Sequence, residues 1–345
     1  MTQDLVVGPS GGPDPGAFAR EPEPRPGRVL VTGGAGFIGS HVVEALLGRG
    51  HAVAVLDDFN DYYDPARKRA NLEEARRVGP VALFEGDLIQ GEWVEAVLAE
   101  FRPATILHLA ARAGVRPSIA EPVLYARVNT DGTTLLLEAA RRAGIGKVVV
   151  GSTSSVYGVG DEVPFRESAA LLRPISPYAA SKIGAEAMAH VFHHLYGMET
   201  PVLRFFTVYG PRQRPDMAIH RFTRLIDEGA EVPMFGDGRT RRDYTHVSDI
   251  VAGVVAAIER PIGHVVLNLG ESRTVELRYL IELIERALGK RARIRQLPEQ
   301  PGDVPITYAD VAEAGRLLGY RPKVSIEEGI PRFVEWYRAQ QTARG

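Results

Sequence analysis

The sequence predicts an α/β protein with a doubly wound parallel sheet and a smaller C-terminal lobe. Short apolar strands alternate with helical segments from about residue 28 to residue 206. Such alternation produces right-handed βαβ units, with helices on both faces of the sheet. A turn rich in glycine joins the first strand to the first helix. The alternation loosens after about Gly210, where proline and glycine divide the chain into shorter pieces.

Apolar and β-branched runs predict the strands of this sheet. They lie at residues 29–32, 52–56, 81–84, 105–109, 147–150 and 202–206. Periodic apolar residues predict helices along the chain. They lie at residues 39–48, 124–143, 178–196, 277–288 and 325–337.

Composition excludes several classes of protein. An apolar fraction of 45% is enough to fill a sizeable core. A net charge of −2 over 345 residues predicts no nucleic-acid partner and no attraction to an anionic membrane. The absence of cysteine excludes disulfides and fits a reducing cytoplasm. We expect a cytoplasmic protein, because neither a secretory signal nor a membrane-spanning apolar run is found.

The turn after the first strand carries Gly33, Gly36 and Gly39, with Phe37 and Ile38 between the last two. Glycines at this spacing allow the backbone to approach a pyrophosphate at the N-terminus of the following helix. The position between a strand and a helix is the context that the motif requires. This predicts a Rossmann-type dinucleotide site. It is not a Walker loop, because no Gly-Lys-Ser/Thr follows.

Asp57 ends the second strand, about 20 residues beyond the glycines. A carboxylate there can accept both ribose hydroxyls and would repel a 2′-phosphate, which favours NAD over NADP. The alternative is that Asp57 merely caps a loop. The nearby basic residues Arg67, Lys68 and Arg69 leave NADP possible.

Tyr178 and Lys182 lie four residues apart on a predicted helix, so their side chains share one face. The ammonium of Lys182 and the nicotinamide charge would lower the pKa of the Tyr178 phenol, which could then act as a base. A run of hydroxyls, Ser152 to Ser155, follows the fifth strand. It faces the ligand crevice if the sheet is parallel, although a serine-rich turn is the simpler interpretation.

Together these features resemble the extended short-chain dehydrogenase/reductase family. The resemblance covers nearly all of the chain beyond the N-terminal segment. Narrower motifs resemble nucleotide-sugar 4-epimerases, and UDP-glucuronate 4-epimerases most. They are DDFNDYYD at 57–64, AGVR at 113–116, RFFTVYGP at 204–211, RQRPDMA at 212–218 and QPGD at 300–303.

The resemblance implies NAD as the cofactor and assigns roles at the reacting centre. Tyr178 is the general base, and Lys182 orients the nicotinamide ribose and lowers the tyrosine pKa. Thr153 matches the residue that binds the reacting 4-oxygen.

The resemblance also implies contacts along the cofactor and the substrate. At the cofactor, Asp87 and Leu88 match the two family residues that lie at the adenine. Three further residues, Leu109, Ala110 and Ala111, match the turn beside the cofactor phosphates. On the substrate side, Arg242 matches an arginine on the diphosphate and Asp303 a contact to the uridine ribose. Arg112 departs from the glutamine that glucuronate epimerases often carry.

One position favours epimerisation over related reactions. Relatives that dehydrate the sugar resemble Thr-Asp-Glu-Val-Tyr-Gly, and those that decarboxylate UDP-glucuronate resemble Thr-Ser-Glu-Val-Tyr-Gly. Here Ser155 stands in place of that glutamate. Without the additional carboxylate, the simplest reaction is oxidation at C4 followed by reduction from the other face.

A glucuronate intermediate would be a β-keto acid, so its carboxylate must be held firmly. Ser154, Ser155 and Thr207 are expected to hydrogen-bond this carboxylate, and Arg214 to balance its charge. A solvated loop arginine is the alternative for Arg214. For Arg221 there are two alternatives: it contacts the diphosphate, or it occupies an exposed position on a helix.

The predicted organisation follows from these assignments. Residues 1–26 read as a disordered tail rich in proline and glycine. The NAD-binding domain is expected at 28–206. Residues 207–345 mainly form the substrate lobe, with part of 243–285 returning to the first domain.

Several alternatives remain at this point. They are a UDP-glucose/UDP-galactose 4-epimerase, a 4-reductase, a UDP-glucuronate decarboxylase and a non-catalytic NAD-binding regulator. A homodimer is implied by resemblance, with helices 124–143 and 178–196 forming a four-helix bundle with their mates. No metal site is predicted, and His41 is expected on a helix surface.

Overall fold

A computed structural model of the chain describes residues 26–159, 162–169, 173–298 and 304–342. The predicted tail therefore lies almost entirely outside the described residues. The strands are β1 (Arg28–Thr32), β2 (Ala52–Asp57), β3 (Val81–Glu85), β4 (Thr105–His108), β5 (Val148–Thr153), β6 (Val202–Phe205), β7 (Thr207–Tyr209), β8 (Glu231–Phe235), β9 (Arg241–His246), β10 (Val266–Leu269), β11 (Thr274–Glu276) and β12 (Arg293–Leu297).

Helices connect or follow most of these strands. They are α1 (Phe37–Gly48), α2 (Pro65–Val78), α3 (Gly91–Phe101), α4 (Val115–Ala120), α5 (Pro122–Ala126), α6 (Gly132–Arg142), α7 (Pro177–Tyr196), α8 (Ala218–Asp227), α9 (Val247–Glu259), α10 (Leu277–Leu288), α11 (Ala312–Leu318) and α12 (Ile326–Thr342).

Within the described residues, seven parallel strands form the central sheet in the order β10-β6-β5-β4-β1-β2-β3. The predicted fold class is confirmed. β1 and β4 are neighbours although the chain passes through β2 and β3 between them. The strand order therefore reverses at β1, and a crevice opens there at the carboxyl ends of the strands. β10 comes from the C-terminal half and extends the far edge of the sheet.

Both faces of the sheet are covered by apolar packing. One face buries Val31, Val55 and Leu107 with residues of α1, α2 and α9. The other buries Leu30 and Ile106 with residues of α3, α6 and α7. Strands covered on both faces are apolar throughout, which explains their short uninterrupted apolar runs.

The C-terminal lobe has its own core. Residues of α8, α10 and α12 pack there around Tyr209, Tyr244 and Phe333, all nearly excluded from solvent. Two small sheets support these helices, with strand orders β11-β9-β7 and β12-β8 among the described residues. β7 belongs to the lobe yet begins two residues after the end of β6. The lobe is therefore joined to the mouth of the crevice.

The helix predicted at 124–143 is interrupted. α5 and α6 are joined by a π-helical segment, Arg127–Asp131. A single wide turn of this kind leaves helical spacing intact on either side, so the apolar periodicity gave no sign of it. Among the described residues, no helix combines the length and the apolar character needed to cross a bilayer.

Candidate active site

A cavity of about 370 Å³ opens at the carboxyl ends of the parallel strands. It brings together most of the residues singled out in the sequence. These are Gly33, Gly36, Phe37, Ile38, Gly39, Asp57, Asp87, Leu88, Leu109, Ala110, Ala111, Thr153, Ser154, Ser155, Tyr178, Lys182, Thr207 and Arg214. Arg221 and Arg242 do not line it, and Asp303 lies outside the described residues.

The glycine turn is sterically closed to side chains. Gly33 has φ +69°, and a Cβ there would lie 2.7 Å from the backbone nitrogen of Ala110. A Cβ on Gly39 would collide with the carbonyl oxygen of Gly33. Gly36 caps α1 without a side-chain hydrogen bond, which leaves amides of the first helical turn available to an anion. The turn therefore fits a dinucleotide pyrophosphate.

Asp57 both shapes the turn and faces the cavity. Its carboxylate accepts hydrogen bonds from the amides of Ala35 and Phe59, at 3.1 and 3.0 Å. Burial raises its pKa, and the charge of Lys68 opposes that shift. The Lys68 ammonium lies 3.9 Å from the carboxylate and also lines the cavity. Arg69 is instead engaged by Glu85, with its Nη2 at 2.8 Å.

The next strand ends complete the cofactor half of the cavity. The Asp87 carboxylate accepts the amide of Ile89 at 3.1 Å, which stabilises the turn after β3. Leu88 is buried beside it. Leu109 to Ala111 follow β4, and Thr32 Oγ1 accepts the amide of Ala110 at 3.2 Å. The first contact lies within the turn after β3, and the second joins the turn after β4 to the end of β1.

Tyr178 lies in the first turn of α7, which begins where the Ser176 hydroxyl accepts the amide of Ala179 at 3.1 Å. Burial raises the pKa of Tyr178. A hydrogen bond from Thr153 and the charge of Arg214 act in the opposite direction but do not outweigh burial. The Lys182 ammonium donates to the carbonyl oxygen of Gly151 at 2.7 Å. The lowering of the Tyr178 pKa by Lys182 and the nicotinamide charge stays a prediction from the sequence.

Lys182 is almost completely buried, and burial lowers its pKa to about 8 against the opposing charge of Glu186. Glu186 lies one turn further along α7. Arg204 holds it with two hydrogen bonds of 3.0 and 2.7 Å, and Ser152 donates a third. This buried ion pair fixes the strand end that carries Thr153.

The π-helical segment supplies a residue that the sequence reasoning missed. The Asn129 side chain accepts the amide of Arg112 at 2.8 Å and donates to its carbonyl oxygen at 2.9 Å. It also donates to the Ser181 hydroxyl at 3.0 Å. Asn129 thereby ties the loop after β4 to the helix of Tyr178. Segments of this type are frequent at functional sites.

Another part of the cavity lining consists of hydroxyls and one guanidinium. Ser154 and Ser155 follow β5, Thr207 begins β7, and Arg214 lies on the loop before α8. The Arg214 guanidinium is bound by the Asp216 carboxylate through two hydrogen bonds of 3.0 Å. Asp216 was not among the residues predicted from the sequence.

The loop that carries Arg214 is anchored on α1. His41 Nε2 lies 2.9 Å from the carbonyl oxygen of Pro211, and Arg212 Nη2 donates to Glu44 at 2.6 Å. The expected surface position of His41 is wrong, because this loop covers the ring. Burial, followed by the charge of Arg212, lowers its pKa to about 4. On the other side, Gln213 donates to the carbonyl oxygen of Val208 at 3.0 Å.

Two predicted arginines lie away from the cavity lining. Arg221 is half-buried in the first turns of α8. Arg242 lies in β9, and its Nη1 donates to the carbonyl oxygen of Arg241 at 2.9 Å. Within the described residues, no group of three or more His, Cys, Asp or Glu side chains could hold a metal ion.

Known proteins resemble this chain along most of its length. A UDP-glucuronate 4-epimerase of Thermodesulfobacterium geofontis is 42% identical over 311 residues, which cover 90% of this chain and 96% of that protein. The Bacillus cereus UDP-glucuronic acid 4-epimerase, solved with UDP-glucuronic acid and NAD, has a TM-score of 0.85 and 34% identity. That match covers 91% of this chain and 99% of the other.

A second solved structure is similarly close. The Thermotoga maritima UDP-glucose 4-epimerase, solved with UDP-glucose, has a TM-score of 0.84 and 35% identity, covering 91% of this chain and 99% of that one. The family model described as GDP-mannose 4,6 dehydratase matches residues 30–333. The chain therefore belongs to the GDP-mannose 4,6-dehydratase family, within the extended short-chain dehydrogenases/reductases.

Proposed function

We propose that this protein is an NAD-dependent UDP-glucuronate 4-epimerase, which interconverts UDP-glucuronic acid and UDP-galacturonic acid. The observation that carries the proposal is that Arg214 lines the same cavity as Tyr178 and Lys182. A cation near the reacting tyrosine suits a sugar with a carboxylate. The identity of 42% to a UDP-glucuronate 4-epimerase supports the same substrate.

The cofactor half of the cavity suits NAD. The amides at the start of α1 bind the pyrophosphate, and Asp57 accepts the ribose hydroxyls. Asp87 and Leu88 hold the adenine, and residues 109–111 lie along the phosphates. When bound, NAD supplies an acceptor and donor of hydride for C4 of the sugar. Structural relatives were solved with NAD and UDP-glucuronic acid together.

The protein's own residues move the proton. Tyr178 takes the proton of the 4-hydroxyl and later returns it, while Thr153 hydrogen-bonds the same oxygen. Lys182 orients the nicotinamide ribose from the floor of the cavity. Between the two steps the 4-keto sugar rotates about its diphosphate link. The two faces of C4 are thereby presented one after the other to the nicotinamide.

Ser155 separates this reaction from those of its relatives. In dehydratases and decarboxylases of similar sequence, a glutamate stands at this position. Here Ser154, Ser155 and Thr207 offer hydroxyls to the sugar carboxylate, and Arg214 balances its charge. The 4-keto intermediate is then held without an additional acid or base beside it.

The nucleotide is held by the lobe. We assign Arg221 and Arg242 to the diphosphate and Asp303 to the uridine ribose, following the resemblance. Both arginines lie outside the cavity lining, so these contacts require the substrate to extend toward α8 and β9. In this proposal, residues 28–206 bind NAD. Residues 207–345 mainly bind the nucleotide sugar, with part of 243–285 completing the first domain.

The protein is further proposed to act as a homodimer. α5, α6 and α7 present large apolar side chains to solvent, including Val123, Leu135, Val191 and Leu195. Val123 is 78% exposed and Leu195 59% exposed. A four-helix bundle with the same helices of a second copy would cover this surface. The cytoplasmic location stays a prediction from the sequence.

Proton NMR of the products tests the proposal. Purified protein is incubated with UDP-glucuronic acid and NAD, and UDP-galacturonic acid is expected without net reduction of NAD. Conversion of UDP-glucose to UDP-galactose, with no action on UDP-glucuronic acid, would assign the protein to the hexose epimerases. A UDP-pentose with release of CO2 would make it a decarboxylase.

A further inference from the structure

Arg214 has a fixed orientation in the cavity. Its Nε donates to Asp216 Oδ1 and its Nη2 to Oδ2, both at 3.0 Å. Two parallel hydrogen bonds fix the plane of a guanidinium as well as its position. Among the hydrogen bonds of the described residues, none uses Nη1 of Arg214, so its two N–H groups are left for a ligand.

Tyr62 also lines the cavity and lies beside Arg214. Its ring centroid lies 5.4 Å from the Arg214 guanidinium carbon, and its hydroxyl contributes to lowering the pKa of Asp216. Burial would raise the pKa of Asp216, but the hydrogen bonds and charge of Arg214 outweigh burial and lower it overall. The carboxylate is therefore ionised at neutral pH. The Arg214 charge also reaches Tyr178, whose pKa it lowers.

We propose that Asp216 is a positioning residue that preserves the sugar carboxylate during the reaction. It holds Arg214 so that Nη1 meets the carboxylate in one orientation, and Tyr62 supports this arrangement. The inference rests on the proposed function, because it requires a hexuronate substrate. A freely rotating guanidinium would neutralise the same charge but would not fix the plane of the carboxylate.

Orientation matters because the 4-keto hexuronate can lose CO2. In that step the C5–C6 bond breaks and its electron pair enters the C4–C5 enolate. The enolate then takes a proton at C5, which leaves a UDP-4-keto-pentose and CO2. The breaking bond must lie parallel to the π system of the C4 carbonyl. A carboxylate held away from this alignment survives until the ketone is reduced.

The test measures how the products divide when the Asp216 contacts are weakened. Asp216→Asn keeps the size of the side chain and one acceptor oxygen but loses the charge and the second acceptor. Proton NMR with UDP-glucuronic acid gives the ratio of UDP-4-keto-pentose to UDP-galacturonic acid. We expect this ratio to rise about tenfold over the wild type, the effect of losing one charge-assisted hydrogen bond.

Two further variants keep the test decisive. Tyr62→Phe removes the hydroxyl that interacts with Asp216 and with Tyr125, and a smaller rise in the same ratio is expected. Asp237→Asn is the matched control, because Asp237 also pairs with an arginine two residues away, Arg239, at 3.5 Å, and neither residue lines the cavity. Its ratio should equal that of the wild type.

The outcomes separate this inference from the proposed function. If Asp216→Asn and Tyr62→Phe epimerise more slowly with an unchanged ratio, Asp216 is merely structural and the inference is overturned alone. If the wild type does not act on UDP-glucuronic acid, the proposed function fails and this inference fails with it.

Discussion

The ammonium of Lys182 donates a hydrogen bond of 2.7 Å to the carbonyl oxygen of Gly151, two residues before Thr153. This bond joins α7, which carries Tyr178, to the end of β5, which carries Thr153. Lys182 therefore stabilises the position of α7 relative to the end of β5, in addition to its proposed role toward the ribose.

The burial of Lys182 makes a prediction about stability. Its pKa is about 8 in the folded protein, against the ordinary lysine value of 10.5 in an unfolded chain. Between these values the unfolded chain binds the additional proton, so this group makes the free energy of unfolding increase with pH. Relative to Lys182→Met, the wild type should therefore gain stability from about pH 8 to pH 10.5, and the difference should be constant at lower pH.

Denaturant titration of both proteins across this range measures the effect. The difference between the two proteins cancels the contributions to the free energy of unfolding from groups that titrate alike in both. A difference in unfolding free energy that does not depend on pH would show that Lys182 keeps an ordinary pKa in the folded protein.

Tyr178→Phe should remove the proton transfer and leave binding intact. We expect kcat to fall by roughly 10²–10⁴-fold, the usual contribution of a positioned acid or base. The affinity for UDP-glucuronic acid, measured by calorimetry, should change little. Tyr279→Phe is a suitable control, because it removes a hydroxyl that is bonded to Glu327 in the lobe. Turnover by Tyr178→Phe near the wild-type rate would exclude Tyr178 as the base.

Asp57→Ala should weaken NAD binding more than NADP binding. The carboxylate is expected to accept the ribose hydroxyls, and the loss of such charged hydrogen bonds raises Kd by about 10–100-fold. The variant also loses the two backbone amide contacts that shape the turn. Fluorescence titration with each cofactor gives the ratio of the two affinities. An unchanged ratio of the NAD and NADP affinities would show that Asp57 shapes the loop but does not bind the ribose hydroxyls.

Leu195→Asp should dissociate the proposed dimer, because it places a charge in the apolar face of the bundle. Light scattering after gel filtration would show the mass of one chain instead of two. Val78→Asp on α2 is the matched control, since Val78 is 51% exposed and Leu195 59% exposed, but Val78 lies outside the proposed bundle. A wild type that elutes as a monomer would rule out this interface.

The fold could be predicted because its signals are local. A glycine turn between a strand and a helix, followed by Asp57, defines a βαβ unit from neighbouring residues alone. The same holds for Tyr178 and Lys182, which share a helix face by their spacing. The predicted strands differ from those in the structure only at their ends, where local patterns are weakest.

The missed features depend on how the chain folds and not on local sequence patterns. Whether His41 is exposed depends on a loop 170 residues further along the chain, which no periodicity of α1 reveals. Asn129 lies in a π-helical segment, where the sequence predicted one continuous helix. Burial raises the pKa of Tyr178, and neither this burial nor the opposing charge of Arg214 follows from the spacing of Tyr178 and Lys182. Asp216 lies two residues after Arg214 in sequence, but only the folded loop shows that the two are paired.

Oxidation and reduction at C4 can be followed with a label at the reacting carbon. UDP-glucuronic acid deuterated at C4 is converted by the wild type in ordinary water, and the UDP-galacturonic acid is examined by proton NMR and mass spectrometry. We predict that the deuterium is retained at C4, because the same hydride leaves and returns within one active site. Loss of the label to solvent, with epimerisation still observed, would contradict oxidation and reduction at C4.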